Sequence, residues 1–203
     1  MKVRFYTFFL LSLPVISQVQ SQPLLTYQDA LDNCRRIAEE RNKANPDAFT
    51  YTGPECMIGA MLPAFSYTTI EGKPFTTDSL KGKISILNFW LISCPPCIAE
   101  IPGLNNVVQK YNRDELNYIA IGMDDEKDIK SFLKNHPWSF DQLPLGRDII
   151  LDVFNIRWGF PTTFVLDQDG VIIDAFSGGS PDEVQAVKEI DDRLSDIIEK
   201  ARM

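Results

Sequence analysis

The sequence has few of the residues that bind zinc or haem. It contains one histidine, His136, among 203 residues. Its four cysteines are Cys34, Cys56, Cys94 and Cys97. A c-type haem site needs a histidine directly after a Cys-x-x-Cys pair, but Ile98 stands there. A zinc site needs about four cysteine or histidine ligands, so it would have to recruit Cys34 and Cys56 from outside the Cys94–Cys97 pair. We therefore predict neither a bound metal nor a dissociable cofactor.

Positive charge is also scarce. The 20 lysines and arginines are outnumbered by 28 acidic residues, so the formal net charge is −8. Residues 1–21 carry Lys2 and Arg4 and no acid, so their removal would leave a net charge of −10. Nucleic acids and anionic lipids bind basic surfaces. Neither is therefore expected as a partner.

No stretch contains the ~20 consecutive apolar residues that a membrane-spanning helix needs. Residues 1–21 have the order of a secretory signal peptide, with a basic start, an apolar run over Phe5–Ile16 and a polar end before Gln22. The alternative is an uncleaved N-terminal anchor. We expect a monomer exported to the periplasm or cell envelope, where disulfides persist.

The segment after the leader predicts a helix and a loop. Apolar residues recur at helical spacing over Thr26–Lys43, and residues 46–63 hold prolines and glycines without a clear period. We assign residues 22–59 to this extension and residues 60–203 to a compact domain, which begins with a strand over Phe65–Ile70.

The middle of the chain predicts a parallel β-α-β unit. Ile84–Trp90 and Leu116–Met123 are nearly continuous apolar runs, as in strands buried on both faces. Between them, Pro95–Tyr111 has a helical period with Val108 on its apolar face, and Pro102 should kink this helix. Another helix is predicted over Asp125–Asn135.

The last third of the chain predicts antiparallel structure. Residues 136–148 are predicted as loop and Ile149–Phe154 as a short helix. Thr162–Leu166 and Val171–Phe176 flank a turn and predict a hairpin. Pro181–Arg202 predicts a closing helix with Val184 on its apolar face. The fold class is thus α/β, with a mixed central sheet flanked by helices.

Cys94 and Cys97 have the position and spacing of a redox pair. Cys94 directly follows a predicted buried strand, and Cys97 lies in the first turn of the next helix. Unpaired N–H groups and the dipole at a helix start favour a thiolate there. The spacing lets one sulfur attack a disulfide and the other resolve the mixed disulfide. We expect Cys94 to attack and Cys97 to be less exposed.

Three segments extend this pattern to a known family. Asn88–Pro102 (NFWLISCPPCIAEIP) resembles the active-site segment of thioredoxin-fold proteins, and among these it is similar to the exported TlpA/ResA-like thiol–disulfide oxidoreductases. Gly159–Phe164 (GFPTTF) resembles the family's cis-proline segment, and Leu166–Val171 resembles its following hairpin. The resemblance covers about residues 60–200 and implies a thioredoxin-like fold.

The resemblance also implies a substrate-binding surface. Pro161 should be cis and face the disulfide, and the Phe160 backbone should pair with an extended substrate peptide. Pro95, Pro96 and Trp90 would complete this surface. Pro161 could instead be an ordinary trans proline, and Trp90 could simply be a core residue.

Glu100 matches an acidic residue that tunes proton transfer at the inner cysteine in ResA-like proteins. It lies one helical turn after Cys97, although it could instead be solvated. Thioredoxin has a buried acid where this chain has Asn88 and a tryptophan where it has Ser93. Asn88 cannot titrate, so a general base would have to be Glu100 or water.

Cys34 and Cys56 lie outside the resemblance. In an oxidising compartment such a pair often forms a structural disulfide, which is our expectation. A buried thiol at Cys34 or a second redox pair are the alternatives.

These observations predict an exported reductant that exchanges disulfides with other exported proteins, with apocytochrome c as one candidate substrate. The resemblance implies a membrane-embedded thiol protein as the electron donor. A copper-binding or metallochaperone module and a non-catalytic interaction protein are the alternatives. Copper-delivery relatives use a longer cysteine spacing, and the intact cysteine pair disfavours a non-catalytic role.

Overall fold

The structure is a computed structural model that describes residues 24–45 and 52–203. The predicted signal peptide at residues 1–21 lies outside the described residues. Within them, no helix has the length and apolar character needed to cross a membrane.

The described residues form helices, strands and short turns in alternation. The helices are α1 (Tyr27–Ala44), α2 (Pro95–Lys110), α3 (Glu126–Phe132), α4 (Gly146–Asp148) and α5 (Glu183–Ala201). The strands are β1 (Ser66–Thr68), β2 (Pro74–Thr76), β3 (Ile84–Trp90), β4 (Leu116–Gly122), β5 (Asp141–Leu143), β6 (Thr162–Leu166) and β7 (Ile172–Ser177). Two 3-10 turns cover Pro54–Met57 and Thr77–Leu80, and a π-helical turn covers Ile149–Val153.

The central sheet has five strands in the order β5-β4-β3-β6-β7. Strands β3, β4 and β5 run parallel, whereas β6 is antiparallel to both β3 and β7. A separate antiparallel hairpin joins β1 and β2. The prediction of a mixed sheet flanked by helices is therefore confirmed.

Strand β3 is central in the sheet, and all seven of its residues are buried. Its side chains alternate between two cores. Leu87 and Phe89 belong to one core, while Ile86 and Trp90 belong to the other, together with residues of α2 and α5. Asn88 lies on the same side of the strand as Ile86 and Trp90, so its side chain points toward α2. This register brings a polar side chain beneath the helix that begins at the cysteine pair.

The N-terminal extension covers the opposite face of the sheet. Tyr27, Leu31 and Cys34 of α1 are buried in the same core as Phe89, and the Tyr27 hydroxyl donates to the Phe154 carbonyl over 2.7 Å. A disulfide joins Cys34 to Cys56, as predicted. Residues before position 60 thus contribute to the core. The division into an extension and a domain at that position stays a prediction.

Several predicted boundaries were wrong in detail. Residues 136–148 are not all loop, because they contain the edge strand β5 and α4. The strand predicted over Phe65–Ile70 is only the three-residue β1.

One residue was assigned to the wrong side of its helix. Val184 is 81% exposed, and Ala186 packs inside instead. In α2, Val108 is partly buried and packs against the core as predicted, and the neighbouring Val107 is fully buried.

Candidate active site

Cys94 and Cys97 form a disulfide where the central strand passes into α2. Cys94 is the N-cap residue of α2, and its sulfur accepts a hydrogen bond from the Cys97 backbone N–H over 3.2 Å. Pro95 and Pro96 occupy the first two helical positions, where no intrahelical N–H is needed. Cys97 is fully buried and Cys94 is 7% exposed. Cys94 is thus the cysteine of the pair that solvent reaches.

The Phe160–Pro161 peptide bond is cis. The Pro161 carbonyl accepts a hydrogen bond of 2.8 Å from Gly178 N–H, at the end of β7. The next residue, Gly179, lies against three predicted site residues. A Cβ built on it would be 3.7 Å from Glu100 Oε2 and 3.8 Å from both the Pro161 and Pro96 rings. The structure therefore brings Pro96, Glu100 and Pro161 together around one glycine.

Glu100 is buried, with 4% of its surface exposed, so it is not the solvated helix residue of the alternative reading. Asn88 Nδ2 donates to Glu100 Oε1 over 2.7 Å. Burial raises the pKa of Glu100 to about 8, and the hydrogen bond from Asn88 opposes this increase. A carboxyl with such a pKa can exchange a proton near neutral pH.

Asn88 is fully buried and also donates to Thr163 Oγ1 over 3.0 Å. This contact links β3, α2 and β6 through three polar side chains. The role of Asn88 as a partner of Glu100 was missed in the sequence. A single amide inside the apolar run ISILNFW was the available signal, because buried polar side chains need hydrogen-bond partners.

Trp90 does not line a substrate-binding surface, contrary to the prediction. It has no exposed surface and packs against Trp138 and Phe132, with ring centroids 5.0 and 5.3 Å away. A substrate cannot touch a side chain that is enclosed in the core. Phe160 is partly buried and Pro95 is exposed, so both remain accessible.

Glu100 also lines a small cavity of about 90 Å³ between α2, α5 and the end of β7. Glu189 and Arg193 of α5 line the same cavity. Arg193 is also held by Asp174 and lies over the Phe176 ring. The Glu100 carboxyl therefore borders a space that faces α5.

His136 is exposed, and its ring stacks on Phe132 with a centroid distance of 4.1 Å. Across residues 24–45 and 52–203, no three side chains of histidine, cysteine, aspartate or glutamate form a group that could hold a metal ion.

Comparison with known proteins extends this picture. Residues 58–175 match the AhpC/TSA family. The thiol–disulfide oxidoreductase ResA of Bacillus cereus is 33% identical over 122 residues, which cover 60% of this chain and 70% of that protein. The thioredoxin-like protein YneN of Bacillus subtilis is 33% identical over 135 residues, covering 64% and 78%.

Solved structures show the same fold. A secreted disulfide oxidoreductase of Mycobacterium tuberculosis, described as homologous to E. coli DsbE, is 26% identical with a TM-score of 0.55. The similarity covers 65% of this chain and 95% of that one. A thiol:disulfide interchange protein of Chlorobium tepidum is 28% identical with a TM-score of 0.53, covering 66% and 94%.

The family match covers more than half of the chain, the ResA relative is named a thiol–disulfide oxidoreductase, and the solved structures share the fold. The chain therefore belongs to the AhpC/TSA family of thioredoxin-like proteins and is a thiol–disulfide oxidoreductase of the ResA type.

Proposed function

We propose that this protein is an exported reductant that reduces disulfides of other exported proteins through Cys94 and Cys97. The observation that carries the proposal is the arrangement at the start of α2. There, a disulfide with one solvent-reaching sulfur lies in the helix whose next turn carries the buried Glu100. Pro96 of this helix and the cis Pro161 both lie against Gly179.

Because Cys94 is more exposed than Cys97, we assign the first step of the reaction to Cys94. The Cys94 thiolate attacks a substrate disulfide, and one substrate thiolate leaves and takes a proton. Cys97 then gives its proton to the Glu100 carboxylate and attacks Cys94. This second step releases the other substrate sulfur as a thiolate, which takes a proton from water, and leaves the Cys94–Cys97 disulfide. Two electrons pass from the cysteine pair to the substrate.

The surface around Cys94 suits an extended peptide. Pro95 is exposed, and Pro96 and Phe160 are partly exposed. A peptide that pairs with the backbone at Phe160 would place its disulfide near Cys94.

Export is supported by the order of residues 1–21 and by the secreted Mycobacterium tuberculosis relative. A membrane-embedded thiol protein would return the cysteine pair to the reduced state. Apocytochrome c is one candidate substrate, because its haem-binding cysteines must be reduced before haem attaches.

Trapping tests the proposal directly. A Cys97→Ala variant produced in its own compartment should accumulate mixed disulfides at Cys94, whose partners mass spectrometry can identify. The matched control is Cys94→Ala, which retains the inner cysteine but lacks the attacking one. If the Cys97→Ala variant captures no exported protein beyond those found with the control, the proposal is wrong.

A further inference from the structure

Asp124 accepts a hydrogen bond from the cysteine loop, residues 91–94, which leads from β3 to the start of α2. Strands β3 and β4 pair in parallel up to Trp90 and Gly122. Beyond this pair, the Met123 N–H donates to the Trp90 carbonyl over 3.0 Å. The next amide of the cysteine loop, Ile92 N–H, then donates to Asp124 Oδ2 over 2.7 Å. The Asp124 side chain thus continues the ladder where the two backbones separate.

The chain between this bond and the nucleophile is short. Ile92 lies two residues before Cys94, and the Cys94 N–H donates back to the Leu91 carbonyl over 3.2 Å. Cys94 then caps α2. Since both bonds act on one four-residue turn, they determine how Cys94 enters the helix. Without the Asp124 contact, the Ile92 N–H would lose its hydrogen bond to the segment that follows β4.

From this geometry we infer that Asp124 is a positioning residue for the thiol–disulfide reaction. It holds Ile92 through one carboxylate oxygen and thereby fixes the approach of the Cys94 sulfur to the substrate disulfide. This inference rests on the proposed role of Cys94 as the nucleophile. Attack on a disulfide is sensitive to alignment, and small displacements of a reacting group slow such reactions severely.

The hydrogen bond, rather than the charge, is the feature that matters in this account. Asparagine has a carbonyl oxygen at the same place and can still accept from Ile92 N–H. Alanine cannot. Asp128 supplies a matched control, because it lines the same shallow surface cavity as Ile92 and carries the same charge. The described hydrogen bonds include none between its side chain and the cysteine loop.

The test is the rate constant at which the fully reduced protein reduces insulin disulfides. Asp124→Ala should lower it by about tenfold or more. Asp124→Asn should stay within about threefold of the wild type, as should Asp128→Ala. Circular dichroism would verify that each variant is folded. Asp124→Glu, whose longer side chain displaces the carboxylate, provides a second misaligned variant if Asp124→Ala does not fold.

Three outcomes would overturn the inference: full activity of Asp124→Ala, an equal loss in Asp124→Asn and Asp124→Ala, or an equal loss in Asp128→Ala. Failure of the proposed function would look different. In that case the wild type itself would be no faster than Cys94→Ala.

Discussion

Asn88 donates a hydrogen bond of 2.7 Å to Glu100, and both side chains lie inside the core. The bond joins the central strand to α2, one turn after Cys97. Burial still outweighs this contact, so the pKa of Glu100 is raised to about 8. Glu100 consequently changes charge in the pH range in which cysteine thiols ionise.

The first prediction concerns stability and pH. In the unfolded chain Glu100 ionises near its ordinary pKa of 4.5, whereas in the folded protein it ionises near 8. Between these values the folded state binds more protons, so its stability should fall as pH rises and level off above about 8. The total loss from this group has an upper bound of roughly 5 kcal/mol.

Urea unfolding of the oxidised protein from pH 5 to pH 9 measures this effect. Glu100→Gln should remove most of the decline, because glutamine has no proton to lose. Glu189→Gln is the control, since Glu189 lines the same cavity but is exposed. An unchanged decline in Glu100→Gln would contradict the prediction.

The second prediction isolates the contribution of Asn88. Its hydrogen bond lowers the pKa of Glu100, so Asn88→Leu should raise that pKa above its value of about 8. NMR of the glutamate side-chain carboxyl carbons would follow the titration. Thr163→Val keeps the bond from Asn88 to Glu100 and should change the pKa less. A lower pKa in Asn88→Leu would show that Asn88 does not stabilise the carboxylate.

Much of the fold was predictable because long segments with a clear apolar pattern dominate it. Strand β3 is a continuous apolar run, and its predicted bounds, Ile84–Trp90, agree with the structure. Strand β5 escaped prediction because three residues at a sheet edge show no period. Val184 was misplaced because the buried face of α5 runs through Ala186, Ile190 and Leu194, and a residue two positions before Ala186 lies away from that face.

The site was only partly predictable, for a related reason. The cysteine pair, Glu100 and Pro161 belong to local motifs that a sequence displays. The bonds from Asn88 to Glu100 and from Asp124 to Ile92 connect residues 12 and 32 positions apart. Such contacts depend on strand register and on the packing of α2. Trp90 was misjudged because a sequence does not show which aromatic rings enclose it.

The third prediction assigns the nucleophile. In the reduced protein, alkylation at neutral pH should label Cys94 faster than Cys97. Cys97 has no exposed surface, whereas Cys94 is partly reachable and accepts the Cys97 N–H. Peptide mapping after brief exposure to iodoacetamide measures the ratio. Preferential labelling of Cys97 would reverse the assigned roles.

The fourth prediction concerns the Cys34–Cys56 disulfide. It ties α1 to the turn at Pro54–Met57 and closes a loop with a sequence separation of 22. Replacing both cysteines with alanine should lower the free energy of unfolding by roughly 3 kcal/mol in the chain-entropy model. Denaturant unfolding measures the change.

The same double variant separates structure from catalysis. Insulin reduction should stay near the wild-type rate, because Cys34 lies in the core cluster opposite the one that contains Cys94 and Cys97, and Cys56 packs against that same opposite cluster. A large loss of activity in a folded variant would instead point to a second redox pair.

The last prediction concerns the direction of electron flow. A strong oxidant needs a reduced form that is held as a stable thiolate. Pro95 and Pro96 supply neither a side-chain charge nor an N–H donor to such a thiolate. The reduction potential should therefore lie nearer the thioredoxin value of roughly −270 mV than the roughly −120 mV of strong oxidants. Equilibration with glutathione buffers at pH 7 measures it, and a value above about −170 mV would overturn the reductant assignment.

Pro96→His adds an imidazole with an ordinary pKa of about 6.5 beside the cysteines. Its protonated form should raise the potential, because a positive charge stabilises the thiolate. Pro96→Ala restores the backbone N–H without the charge and is the matched control, so a larger rise with alanine than with histidine would contradict this electrostatic explanation.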